Sequence, residues 1–182
     1  MGKFNKYRCH GAYHWEAYTK RRGYRKHVHF VRDWVKEKRV LDVGAGDGLI
    51  THILKAKGID NDKDGVRLAQ EKGADVILGD AYSLPFEDNS FEAVMMIDSL
   101  EHFDNPEKAL QEARRVAPIL YINTPPRQDP KYEGDTAISR YHVQEWSPDG
   151  LWKLVEKEGF ELEDAMIVYP KDRRMYAKFK RT

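Results

Sequence analysis

The stretch VLDVGAGDGLI, Val40 to Ile50, sets three glycines at alternate positions directly behind a short apolar run. An apolar run of this length ending in glycine reads as a buried strand. Glycine is costly inside regular structure, so Gly44, Gly46 and Gly48 point to a tight turn where the backbone comes close to another group. A helix fits 48–57 and stops at Gly58. Strand, glycine turn and helix together open a parallel α/β sheet.

The rest of the chain repeats that rhythm. Trp15, Tyr18, Val28, Val31, Trp34 and Val35 recur at spacings of three and four, which predicts helix over 12–39. After the glycine turn, GID is a minimal second strand and 63–72 a helix ended by Gly73. ADVILGD and FEAVMMID are further strands, separated by the loop AYSLPFEDNS. Pro106 opens a helix to Val116, PILYIN is a fifth strand, and a long loop follows over 124–147. SPDGLWKLVEKEG has a Ser cap, a first-turn Pro and a terminal Gly, so it is a helix with both stops written in. FELEDAMIVYP and RRMYAKFK close the chain as two strands joined by a tight Lys171-Asp172 turn. The fold class expected is α/β, a Rossmann-like doubly wound sheet of seven strands with helices on both faces. The sheet is mostly parallel. At 182 residues the reading is one domain over 1–182, with 1–39 a helical segment or lid and 40–182 the core.

Composition narrows the function classes. A net charge of +1 gives no global field for nucleic acid, and the basic run KRRGYRK (Lys20 to Lys26) reads as a solvated face or a phosphate contact. One cysteine, Cys9, leaves no intrachain disulfide and no Cys-based zinc site. No apolar run reaches membrane-spanning length and the N-terminus is polar, so no membrane partner and a cytoplasmic address are expected. His10, His14, His27 and His29 lack the spacing of a ligand set, and no metal is expected.

An acid at the end of the second strand, Asp60, suits the two hydroxyls of a ribose. A nucleoside-containing ligand follows, against the plainer alternative of a structural turn beside a charged loop. The glycine pattern departs from the dinucleotide fingerprint, which wants a third glycine where Leu49 stands. No Gly-Lys-Ser/Thr follows either, so the ligand need not carry a pyrophosphate.

VLDVGAGDG, then GIDND, then GDAYSLPFEDNSFEAVMMIDSLEHF resembles, in that order and over about 38–168, the class I S-adenosylmethionine-dependent methyltransferases of the small, uncapped branch with ubiquinone/menaquinone-type motifs. The resemblance implies a Rossmann-like sheet with one reversed C-terminal strand, S-adenosylmethionine as cofactor and S-adenosylhomocysteine as product. It implies that Asp42 and the backbone of Gly44, Ala45, Gly46 and Gly48 hold the methionine end. Asp60 would take the ribose, with Asn61 beside the adenine. Asp80 would accept the adenine amine, the Ala81 amide would meet a ring nitrogen, and Ile97 would line the methionine side. The segment between Gly48 and Asp60 is short for the family, so Asp62 or Asp64 stays open as the ribose ligand.

The acceptor side is less determined. Methyl transfer from a sulfonium needs alignment and exclusion of water, and a base only where the nucleophile holds its proton. Candidates are Asp98, Glu101 and His102 after the fourth strand, and Tyr141, His142 and Glu145 in YHVQEW. His102, Tyr141 and His142 are taken as the catalytic set, although His102 also suits local packing and YHVQEW also suits a surface loop. Tyr13, His14 and Tyr18 would face the ligand if the N-terminal segment is a lid, or pack if it is not. A small-molecule acceptor is expected, then a protein side chain. A cofactor-binding module without chemistry, RNA methylation and an NAD-dependent oxidoreductase remain alternatives. The oligomeric state is left open.

Overall fold

Residues 12–39 do not form one helix. In the computed structural model, which describes residues 6–127, 142–168 and 173–182, a short helix α1 (Lys6–His10) precedes α2 (Tyr13–Lys20) and α3 (Arg22–Trp34). The break falls at Arg21, whose backbone is extended. Arg25 closes the gap, its guanidinium donating to the carbonyls of Tyr18 and Thr19 at 3.1 and 3.0 Å. Most of the KRRGYRK run is exposed, and α3 buries Val28 and Val31 instead. A charged outer face and an apolar inner one are the usual division of a surface helix.

The chain divides into two units, Met1–Ala81 and Tyr82–Thr182. The first continues with β1 (Val40–Val43), α4 (Leu49–Leu54), β2 (Lys57–Asp60), α5 (Lys63–Glu71) and β3 (Val76–Leu78). Its strands run in the order β3-β2-β1, all parallel. Asp60 is the last residue of β2, opposite Leu78 of β3.

The second unit holds β4 (Ala93–Ile97), a 3-10 turn Leu100–His102, α6 (Pro106–Val116), β5 (Ile119–Thr124), α7 (Pro148–Lys157), β6 (Phe160–Val168) and β7 (Arg174–Arg181). Here β4 and β5 are parallel, and β7 is antiparallel to both β5 and β6. All five residues of β4 are buried, as a strand covered on both faces requires. Asn105 and Ser147 cap α6 and α7, each with Pro behind it. Arg115 of α6 pins the loop after the first unit, donating to the carbonyls of Leu84 and Phe86 and to Asp88. The fold is the expected seven-stranded, mostly parallel mixed sheet with a reversed C-terminal strand. Among the described residues no helix is long and apolar enough to cross a membrane.

Gly48 has a packing role. It precedes α4 with φ +73°, and a Cβ there would stand 2.6 Å from the Cβ of Ala74 and 2.7 Å from that of Ala69. Replacing it by alanine combines overpacking with a left-handed backbone. Gly48→Ala should therefore destabilise the fold by about 1–3 kcal/mol, read from urea unfolding.

Candidate functional site

In the first unit the glycine turn is held from below by strand ends. The amides of Gly44 and Ala45 donate to the Ile59 carbonyl at 2.9 and 3.1 Å, and Gly44, Gly46 and Gly48 all have positive φ. The Asp60 carboxylate clamps the turn to β2. Its Oδ2 accepts the Gly46 amide at 2.7 Å and its Oδ1 accepts the Asp62 amide at 2.8 Å. Burial raises the Asp60 pKa, against the pull of those amides. A carboxylate oxygen has two acceptor positions, so both oxygens retain capacity for a further donor.

The alternatives to Asp60 have other work. Asp62 is the N-cap of α5, accepting from the amides of Asp64 and Gly65 at 2.8 and 3.1 Å. Asp64 lies in the first turn of that helix, with Arg67 3.8 Å away. Asn61 and Asp80 are exposed and Ala81 is half-buried.

Asp42 sits below the turn, 3% exposed, and accepts the Thr51 hydroxyl at 2.6 Å. Burial pushes its carboxyl up to about 7; the Thr51 bond opposes the rise and the Asp60 charge adds to it.

The N-terminal helices pack on this turn through a residue that sequence reasoning did not single out. Asp47 is fully buried. Its carboxylate accepts the His14 amide at 2.9 Å and contacts His14 Nδ1 at 3.0 Å, while its carbonyl accepts Trp15 Nε1 at 2.8 Å. Ala12 supplies no side-chain cap to α2, so Asp47 caps it from elsewhere in the chain. Tyr7 was also missed. Its hydroxyl lies where a Gly46 Cβ would be, and its ring edge is 3.0 Å from the Cβ position of Gly65. Burial raises the Tyr7 pKa well above its ordinary value. Tyr13 stacks on Tyr7 at 5.5 Å between centroids, whereas Tyr18 bonds to His29 Nε2 at 2.9 Å.

A second constellation lies wholly within the second unit. Ile97 is buried at the end of β4, and Asp98 follows it with φ +52°. Arg174 Nη1 donates to both Asp98 oxygens at 2.7 Å and to Asn123 Oδ1 at 3.0 Å. Three residues after Asp98, Glu101 is 1% exposed and its Oε2 makes no hydrogen bond. Burial pushes the Glu101 carboxyl up to about 8 and the Asp98 charge adds to it; its own amide, Thr124 and Arg174 act the other way.

The structure brings His102 and His142 together beside that carboxyl. Their ring centroids are 5.1 Å apart, and one ligating atom from each of Glu101, His102 and His142 lies within 4.8 Å of the other two. The Glu101 carbonyl anchors the segment, accepting the amides of Val143 and Gln144 at 2.8 and 3.2 Å. His142 Nδ1 is 2.6 Å from Oε1 of the buried Glu145. Tyr141 lies outside the described residues.

Residues 41–118 match the family model described as a methyltransferase domain. The chain is 28% identical over 127 residues to the demethylmenaquinone methyltransferase of Thermotoga maritima, covering 63% of this chain and 55% of that one. It is 34% identical over 106 residues to norajmaline N-methyltransferase of Rauvolfia serpentina, covering 48% and 36%. The chain thus matches about half of these relatives' length or less. A crystal structure from Thermotoga maritima, described as an S-adenosylmethionine-dependent methyltransferase and possible histamine N-methyltransferase, superposes with TM-score 0.71. It has 23% identity, over 85% of this chain and 87% of that one.

The raised Asp42 pKa has a definite signature. Between about pH 4 and 7 the folded chain holds a proton that the unfolded chain has released, so stability falls as pH rises through that window and levels off above it. Asp42→Asn keeps an acceptor for Thr51 and does not ionise. Without ligand, its unfolding free energy should gain on wild type from about pH 4 to 7, then hold a constant lead; a pH-independent difference would contradict this.

Proposed function

Given that the chain belongs to the class I S-adenosylmethionine-dependent methyltransferases, we propose that it binds S-adenosylmethionine at the glycine turn and transfers the methyl group to a small-molecule acceptor. The observation that carries the binding part is Asp60. It ends β2, is hydrogen-bonded to the Gly46 amide, and keeps acceptor capacity for the two ribose hydroxyls. Asp42 and the backbone of Gly44, Ala45, Gly46 and Gly48 hold the methionine end in this reading. Asn61, Asp80 and Ala81 take the adenine.

When bound, the cofactor supplies an electrophilic methyl on a sulfonium that leaves as a neutral thioether. The protein's share is alignment and exclusion of water. Tyr7 and Tyr13 give the glycine turn an aromatic cover, which suits a cationic donor. The small-molecule class is supported by the relatives named above, which methylate demethylmenaquinone and norajmaline according to their names.

Calorimetry tests the binding reading directly. S-adenosylhomocysteine should bind and NAD should not. Asp60→Asn, which retains one acceptor for the Gly46 amide, should weaken S-adenosylhomocysteine by about tenfold or more, the loss of a hydrogen bond to a charged group. Unchanged affinity in an Asp60→Asn protein that unfolds like wild type would sink the assignment.

A further inference from the structure

The buried carboxylate after β4 stands outside any described hydrogen-bond pattern at one of its oxygens. Glu101 Oε2 is enclosed and unpartnered, a costly condition for a polar atom. The nearby cation, Arg174, makes its described bonds to Asp98 and Asn123. Two imidazoles share the site: His102, one residue on, and His142, brought in by the backbone bonds from Val143 and Gln144 to the Glu101 carbonyl. His142 is oriented as well as placed. Its Nδ1 lies 2.6 Å from the acceptor-only carboxylate of Glu145, which fixes the proton there and leaves Nε2 with its lone pair for another partner. Carboxylate-to-histidine bonds of this kind typically stand behind metal-ligating imidazoles.

We propose that Glu101, His102 and His142 form a binding site for a divalent transition-metal ion of the Zn2+ or Fe2+ class, with Glu145 holding His142 in its ligating tautomer. Two imidazoles and one carboxylate are a recurrent set for such ions and leave coordination positions open to water or to an oxygen or nitrogen of a small molecule. Ligands at about 2.0–2.2 Å from one ion lie some 3–4 Å apart, so the three side chains need to close by only about 1 Å. The ion would satisfy Oε2, displacing the proton that burial keeps on the carboxyl. The histidines weighed in sequence as a ligand set, His10, His14, His27 and His29, take no part.

The proposal does not rest on methyl transfer, and its test reads metal binding alone. Metal-free full-length protein is titrated with Co2+ and followed by visible absorption, with thermal unfolding as the check on folding. Wild type should take up one equivalent, show the d–d bands of a nitrogen/oxygen site, and release the ion to Zn2+. His142→Ala and Glu101→Gln should each weaken Co2+ by tenfold or more. Glu145→Gln should weaken it by about 10–100-fold, as loss of an orienting partner does. His52→Ala, at an exposed histidine, should bind as wild type does. Should Glu101→Gln not fold, the half-buried His142 decides. Absence of stoichiometric uptake by wild type overturns the proposal, and so does undiminished uptake by folded His142→Ala; either result would leave only a hydrogen-bonded pair, His142 and Glu145. S-adenosylhomocysteine calorimetry, unaffected by these outcomes, separates this failure from that of the cofactor reading.

Discussion

The hydrogen bond from the Gly46 amide to the Asp60 carboxylate ties the turn after β1 to the end of β2, beside the bonds that the Gly44 and Ala45 amides make to the Ile59 carbonyl. With it in place, the same carboxylate fixes the Asp62 amide, Asp62 caps α5, and α5 brings Ala69 against Gly48. A turn with three left-handed residues has little preference for one shape, and here a single charged side chain selects it.

The second unit has its own selector. Asp98 is held in a left-handed backbone conformation, which an L residue adopts at a cost. Its amide donates to the Asn123 carbonyl at 2.8 Å, and its side chain receives both bonds from Arg174. The strain stands at the end of a wholly buried strand, where the chain turns into the 3-10 segment that carries Glu101 and His102.

What could be read from the sequence follows the range of the interactions. The strands and most helices were legible because their signals are local: the run of β4, the caps Asn105 and Ser147, and the glycine stops. The break at Arg21 was not, because it depends on a guanidinium reaching back to two carbonyls rather than on any helix breaker. Asp60 was legible as the acid that ends the second strand, whereas the capping role of Asp62 shows only in the folded chain. Tyr7, Asp47 and Arg174 escaped because each acts on residues far away in the chain. His102 and His142 were picked out singly, as candidate bases. Their meeting beside Glu101 is a product of folding that no spacing along the chain announces.

Asp47 carries one more consequence. A fully buried carboxylate whose described donors come from His14 makes α2 a condition of the glycine turn rather than an ornament on it. The dependence runs in both directions, since α2 has no side-chain cap of its own. A helix of 8 residues has too little intrinsic stability to persist alone. The two segments are therefore thermodynamically linked: whatever loosens the turn frays the helix, and an agent that unseats the helix leaves an ion stranded in the interior. Hydrogen exchange at the amides of Gly46 and His14 would rise and fall together, as one cooperative opening.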